Sequence, residues 1–126
     1  MKKIIGILAL TALCACASAP KNPLKGHEYK AIEDETTITL NFDESANRVH
    51  GKIINSYNAP YELNGDSIIF KPVAATMMMP FGKSAKIEQK YFKFLGDNNP
   101  KSFEISGGKL TLQNADGDKW IFEKVK

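Results

Sequence analysis

In Thr36–Phe42 the apolar residues Ile38, Leu40 and Phe42 alternate with Thr37, Thr39 and Asn41. This two-residue period returns in short stretches cut by turn signals, and it constrains the chain more than any other feature. It places one set of side chains on a buried face and the other in water, the pattern of antiparallel strands. A strand over His27–Ile32 precedes it, and Asp43–Asn47 is a turn composition that leads into Arg48–Ile54, with Val49 and Ile53 on one face, to make a hairpin. A loop is expected over Asn55–Pro60. Tyr61–Leu63 then meets Asn64-Gly65, a strong two-residue turn, and Ser67–Lys71 completes a second hairpin. Toward the C-terminus, Ser102–Ile105, Lys109–Gln113 and Lys119–Val125 are separated by turns at Ser106–Gly108 and Asn114–Gly117. Trp120 and Phe122 stand one alternation apart and should face the same side.

One segment has helical spacing instead. Ile87, Tyr91, Phe92 and Leu95 share a face, Ser84 is placed to cap the start and Gly96 to end it. The expected fold class is α+β, mainly antiparallel sheet with one packed helix. Tyr57, Tyr61, Phe70, Met78, Phe81, Trp120 and Phe122 are its candidate core aromatics and methionine.

The N-terminus reads as an export signal: Lys2-Lys3, then the apolar run Ile4–Ala12, too short for the roughly 20 residues of a spanning helix. Leu13-Cys14-Ala15-Cys16 fits a lipobox, which makes residues 1–15 a lipoprotein signal peptide and Cys16 the lipid attachment point. Ordinary cleavage after Ala17 is the alternative, since Ala15-Cys16-Ala17 also has the small-x-small pattern. Ala17, rather than Asp, after the cysteine points to the periplasmic face of the outer membrane. Residues 16–25, with Pro20 and Pro23, are expected to be a tether, and 26–126 one domain.

Removal of the signal leaves 111 of the 126 residues and takes the formal charge from +3 to +1. That balance argues against nucleic acid, which needs a clustered basic face, whereas sixteen lysines and the single Arg48 are scattered. With Cys14 removed and Cys16 lipidated, no cysteine remains for a disulfide, so the fold must stand on its core.

Several stretches in order resemble the META domain, the small module of the HslJ-type heat-shock-inducible envelope proteins. Val49-His50-Gly51 is similar to its Val-x-Gly strand, Asn55 to the asparagine of its Gly-Cys-Asn loop, and Tyr61 with Asn64-Gly65-Asp66 to its Tyr-x-x-x-Gly-Asp hairpin. Ala74–Met78 resembles its Ala-x-Thr-x-Met signature, Glu88-Gln89 the opening of its helix, and Leu110-Thr111-Leu112 its Leu-x-Leu strand. The match runs from about Ile38 to Val125. Members commonly carry two cysteines near the places of Ile54 and Pro80, so a disulfide found elsewhere in the family is dispensed with here. The resemblance implies a curled, cracked antiparallel barrel with the helix over its open side. It implies no catalytic set, and loosely associates the chain with envelope stress tolerance.

His27 and His50 are the only histidines, and each lies alone among polar neighbours, the pattern of solvated residues more than of a metal or catalytic pair. Met77-Met78-Met79 could offer thioethers to Cu(I), but adjacent strand residues point to opposite faces, so core or cavity lining fits better. Asn114, Asp116 and Asp118 share the first spacings of a calcium loop but lack its glycine and its final glutamate, which leaves a hairpin turn. No nucleophile elbow or phosphate loop is present. The expectation is a monomeric, non-enzymatic envelope lipoprotein, with no catalytic residues, metal or cofactor, held to the membrane by Cys16. It would bind an envelope protein or an apolar ligand, with Met78 and Tyr91 lining the cavity. The alternatives are a pilot-like carrier of lipid tails and an unrecognised hydrolase.

Overall fold

The computed structural model describes residues 22–76 and 81–125. The signal segment, Cys16 and the methionine run Met77–Met79 lie outside the described residues, and with them the expectations placed there. Among the described residues nine strands and one helix follow in the order β1 Glu28–Glu33, β2 Thr36–Phe42, β3 Arg48–Lys52, β4 Ser56–Asn64, β5 Ser67–Phe70, β6 Ala74–Ala75, α1 Lys83–Leu95, β7 Lys101–Ser106, β8 Lys109–Gln113 and β9 Lys119–Lys124.

Eight of the strands close a barrel in chain order, β1-β2-β3-β4-β5-β7-β8-β9, every neighbour antiparallel. The short β6 rides on the edge of β4, and α1 is inserted between β6 and β7. The expected α+β barrel with one packed helix is the observed fold. Its crack is the seam between β9 and β1, where pairing is confined to Glu123↔Lys30 and Lys124↔Tyr29. Val125 extends that seam by donating to the Glu28 carbonyl (2.7 Å), and at the other end, where no further pair is formed, Tyr91 and Phe94 of α1 pack their rings against Trp120.

Alternation decides what fills the interior. Ile38, Leu40 and Phe42 point inward, as do Trp120 and Phe122, and all are buried. At one end Phe42 stands edge-to-face between Tyr29 and Tyr61, with ring centroids 5.9 and 5.4 Å away. At the other, Thr36 at the start of β2 shares a hydrogen bond of 2.9 Å with Ser84 of α1. A single strand therefore joins the aromatic end to the helix end.

The structure departs from the sequence reading in four places. Residues 55–60 are mostly strand, the first half of the nine-residue β4, with Tyr57, Ala59 and Tyr61 inward. Pro60 suggested a loop, but it sits at a bulge: Tyr57 faces Ala75 and Tyr61 faces Phe70, so four steps along β4 meet five along its neighbour. Lys71 still donates to the Pro60 carbonyl (2.8 Å), so Pro60 closes the β4–β5 ladder with one bond of its pair, and the extra residue is taken up between Lys71 and Ala74. Ser84 does not cap the helix, because its hydroxyl faces Thr36 and the cap position falls to Gly82, at φ 80°. Gly96 does end it, its N–H bonding the Phe92 carbonyl at 2.8 Å. Phe81, read as core, is exposed.

The fourth departure concerns the tether expected over residues 16–25, whose described part from Asn22 onward is packed on the domain. Leu24 is fully buried and closes the aromatic end, held by Asn22, whose side-chain oxygen Oδ1 accepts the Leu24 N–H (2.9 Å) and whose side-chain Nδ2 donates to the Tyr61 hydroxyl (2.8 Å). Two prolines and polar neighbours gave this stretch the composition of a linker, which hid one buried leucine.

Candidate functional site

At the helix end, polar groups far apart in sequence meet in the interior. Glu88, on the first half of α1, is buried, and its carboxylate accepts the backbone N–H of Ile54 (3.0 Å), the backbone N–H of Asn55 (2.7 Å) and the Asn55 side-chain amide (2.8 Å). Asn55 in turn accepts the hydroxyl of Thr76 at 2.8 Å, and that hydroxyl accepts the N–H of Ser56 at 3.1 Å. A buried carboxylate is costly unless its lone pairs are met, and here three N–H groups meet them. The network therefore locks the β3–β4 connection, the chain after β6 and the helix to one another.

Gly51 and Tyr57 make a second device. The Tyr57 hydroxyl reaches across to donate to the Thr39 carbonyl (2.6 Å) and shares a hydrogen bond with Tyr91 (2.7 Å), so Tyr91 is the donor in that pair. A Cβ at Gly51 would stand 2.1 Å from the Thr39 oxygen and 2.7 Å from the Tyr57 hydroxyl. Only glycine admits the contact. Burial pushes the Tyr57 phenol well above its ordinary value, with the bond accepted from Tyr91 pulling it back part-way. Tyr91 is raised as well, by burial first and then by Tyr57. Neither is placed to trade protons at neutral pH.

Above this frame, on the outer face of β2, β3 and β4 and against β6, lies an open groove of about 620 Å³. Its lining includes Thr39, Asn41, His50, Lys52, Ser56 and Asn58, and it contains no carboxylate. Gly51 and Tyr57 form part of its floor and Thr76 part of its rim. The two devices thus fix the shape of one surface.

A third buried group was missed by the sequence reading. Lys101 opens β7 with its side chain fully sequestered, its ammonium donating to the Asp97 carboxylate and to the Asn99 carbonyl (2.8 Å), 5.2 Å from the Phe94 ring centroid. Burial raises the Asp97 carboxyl, but hydrogen bonds from Lys101 and the Asn99 backbone outweigh it and hold the group below its usual value. A lysine at the first residue of a strand carries no sequence mark that separates it from fifteen others.

A model of the META domain matches residues 22–126. The chain belongs to the META domain family. No curated protein sequence matches it. Two solved structures are similar: an NMR structure of a protein from Burkholderia xenovorans, 20% identical over 95% of this chain and 99% of that one, with a TM-score of 0.67, and a second NMR structure, 16% identical over 79% and 90%, with a TM-score of 0.62. At these identities they share the fold of this META domain and carry no function to it.

Family membership gives the convergence its meaning. Gly51, Asn55, Thr76 and Glu88, each from a different one of the stretches that resemble the family's motifs, meet around one surface of the META domain. Of the two residues proposed as ligand-lining, Tyr91 is fully buried, with its ring against Tyr57, Trp120 and Phe122, and Met78 lies outside the described residues. His27 stacks on Tyr29 at the aromatic end while His50 lies in the groove, so the structure does not bring the histidines together. Asn114 and Asp118 bond each other across the β8–β9 turn, at 2.8 and 3.2 Å, which makes it the hairpin expected. Among the described residues, no three side chains of His, Cys, Asp or Glu are grouped to hold a metal.

Proposed function

We propose that this META domain is a non-enzymatic binding module of the cell envelope, carried on a lipoprotein anchored through Cys16, with the groove over β2, β3, β4 and β6 as its binding surface. The observation that carries the reading is that four family motifs fix that groove, while the acidic and phenolic groups beneath it are fully engaged in structural hydrogen bonds. His50 stands in the groove with neither a second histidine nor a carboxylate in the lining to pair with it for acid–base work, and a rigid polar surface suits recognition better.

The anchor sets where that surface works. Five residues separate Cys16 from Asn22, so the lipid and the domain stay within about 20 Å of each other. A role in envelope stress tolerance, implied by the resemblance, would follow from what the groove holds. We place the protein on the periplasmic face of the outer membrane, as a monomer. Replacing Cys16→Ser is expected to move it from the detergent phase to the aqueous phase, and unchanged partitioning would refute the anchor. A ligand inside the barrel is the competing reading. Saturable binding of an apolar dye, abolished by Met78→Asp with native circular dichroism, would favour it over the groove.

A further inference from the structure

We propose that the groove recognises an acidic polysaccharide, its hydroxyls met by Asn41, Ser56 and Asn58 and its carboxylates by Lys52 and Arg48, with His50 between them. The proposal rests on the groove being the binding surface, and it adds the class of ligand.

The strand register arranges these side chains in two rows. Asn41 pairs with His50 and His50 with Asn58, so one row crosses β2, β3 and β4. Thr39 bonds the Lys52 backbone through its hydroxyl, and Lys52 pairs with Ser56, which gives a second row two residues along. With strands about 4.8 Å apart and alternate residues about 6.8 Å apart, the rows span a platform of about 10 by 7 Å. That area matches one or two sugar rings laid flat. At the far side Ala74 and Ala75 of β6 add no bulk above the backbone.

The charge is one-sided. No carboxylate lies within ion-pair distance of Lys52 or Arg48 among the described residues, in contrast to Lys71 beside Glu62 and Lys83 between Asp34 and Glu35. Arg48 is instead oriented by the Asn58 side-chain oxygen at 2.5 Å, which brings a guanidinium to the edge of the first row. The side chains of Asn41, His50 and Lys52 are exposed or half-exposed and make no hydrogen bond with other described residues.

A peptide fits less well. The backbones of β2, β3 and β4 beneath the platform are already paired with one another, and the edge that β6 presents beside it is two residues long, too short for strand addition. Side-chain amides and hydroxyls in rows, with cations beside them and no competing acid, suit a polyhydroxylated anionic chain.

The test uses the full-length protein in detergent micelles, titrated with oligomers of galacturonic acid and with uncharged malto-oligosaccharides of equal length, and followed by amide chemical shifts. The acidic oligomers are expected to shift His50, Lys52 and Asn58 saturably, and the neutral ones to bind roughly tenfold more weakly or less. Arg48→Gln with Lys52→Gln should weaken acidic binding roughly tenfold at an unchanged melting temperature, while Lys86→Gln with Lys90→Gln on α1 should leave it as it was. Equal loss in both double variants, or equal binding of the neutral oligomers, overturns the acidic-glycan assignment and leaves the groove as a binding surface. Shifts confined to other faces, or no shifts with either oligomer, overturn the assignment, and the first of these overturns the groove reading too.

Discussion

The two ends of the barrel are closed by different physics. The end where the chain enters is apolar: Leu24 is fully buried, and Tyr29, Phe42 and Tyr61 stack edge-to-face, with Asn22 donating to the Tyr61 hydroxyl. The helix end buries Glu88, Asn55, Lys101 and Thr36 among its aromatic rings. Apolar closure gains free energy roughly in proportion to area and tolerates change that keeps volume. Polar closure is directional, adds little net stability when complete and is costly when any member is lost. The domain thus keeps the adaptable kind of packing where its described residues begin and the geometrically strict kind beside the groove.

The contrast can be tested at decreasing strength. Gly51→Ala should do most, because a Cβ 2.1 Å from the Thr39 oxygen forces β2 and β3 apart. A loss above about 4 kcal/mol, enough to abolish a cooperative urea transition, is expected. A native-like melt would mean that the helix end is as adaptable as the other.

Glu88→Ala removes the carboxylate that three buried or half-buried N–H groups share and should cost about 3 kcal/mol. Leu24→Ala should cost a similar amount by leaving a cavity. Since the two residues share no partner, the double variant should be additive to within about 0.5 kcal/mol by urea denaturation. A larger coupling would show that the ends are not independent.

Asp97→Asn should cost about 2 kcal/mol, less than a full buried pair because the carboxylate is partly exposed and Lys101 keeps the Asn99 carbonyl. The wild type has a matching pH dependence. The Asp97 carboxyl is lowered from 3.8 on folding, so its contribution is present above that value and is lost as pH falls through the folded value. Acid titrations of stability should therefore descend below about pH 4 in the wild type and less steeply in Asp97→Asn; parallel curves would count against the pair.

Tyr61→Phe should do least, below about 1 kcal/mol, because the ring keeps its place against Phe42 and only the bond from Asn22 goes. A thermal midpoint lowered by more than a few degrees would show that the aromatic end also depends on its polar contact.

Much of the apolar frame was legible. Thr36–Phe42 and Lys109–Gln113 were read with their observed bounds, the inward pair Trp120 and Phe122 followed from alternation, and the helix was placed to within two residues at its start and with its observed end. Where the reading failed, a local signal was outvoted by tertiary context. Pro60 marked a bulge in a long strand, Ser84 found Thr36 across the barrel instead of its own helix, and Leu24 was drawn from a linker-like stretch into the core.

What the sequence determined by itself is what depends on near neighbours: strand period, the Asn64-Gly65 turn, one amphipathic helix, and through its ordered motifs the family. What only the tertiary structure decided is why those motifs exist together. Asn55 and Glu88 are 33 residues apart and Thr39 and Tyr57 are 18 apart, and nothing in the chain's periodicity relates them. Their hydrogen bonds form only when the barrel closes, because a buried polar group selects its partner by distance and direction in space, whereas a periodic pattern records only which face of its own element a residue occupies.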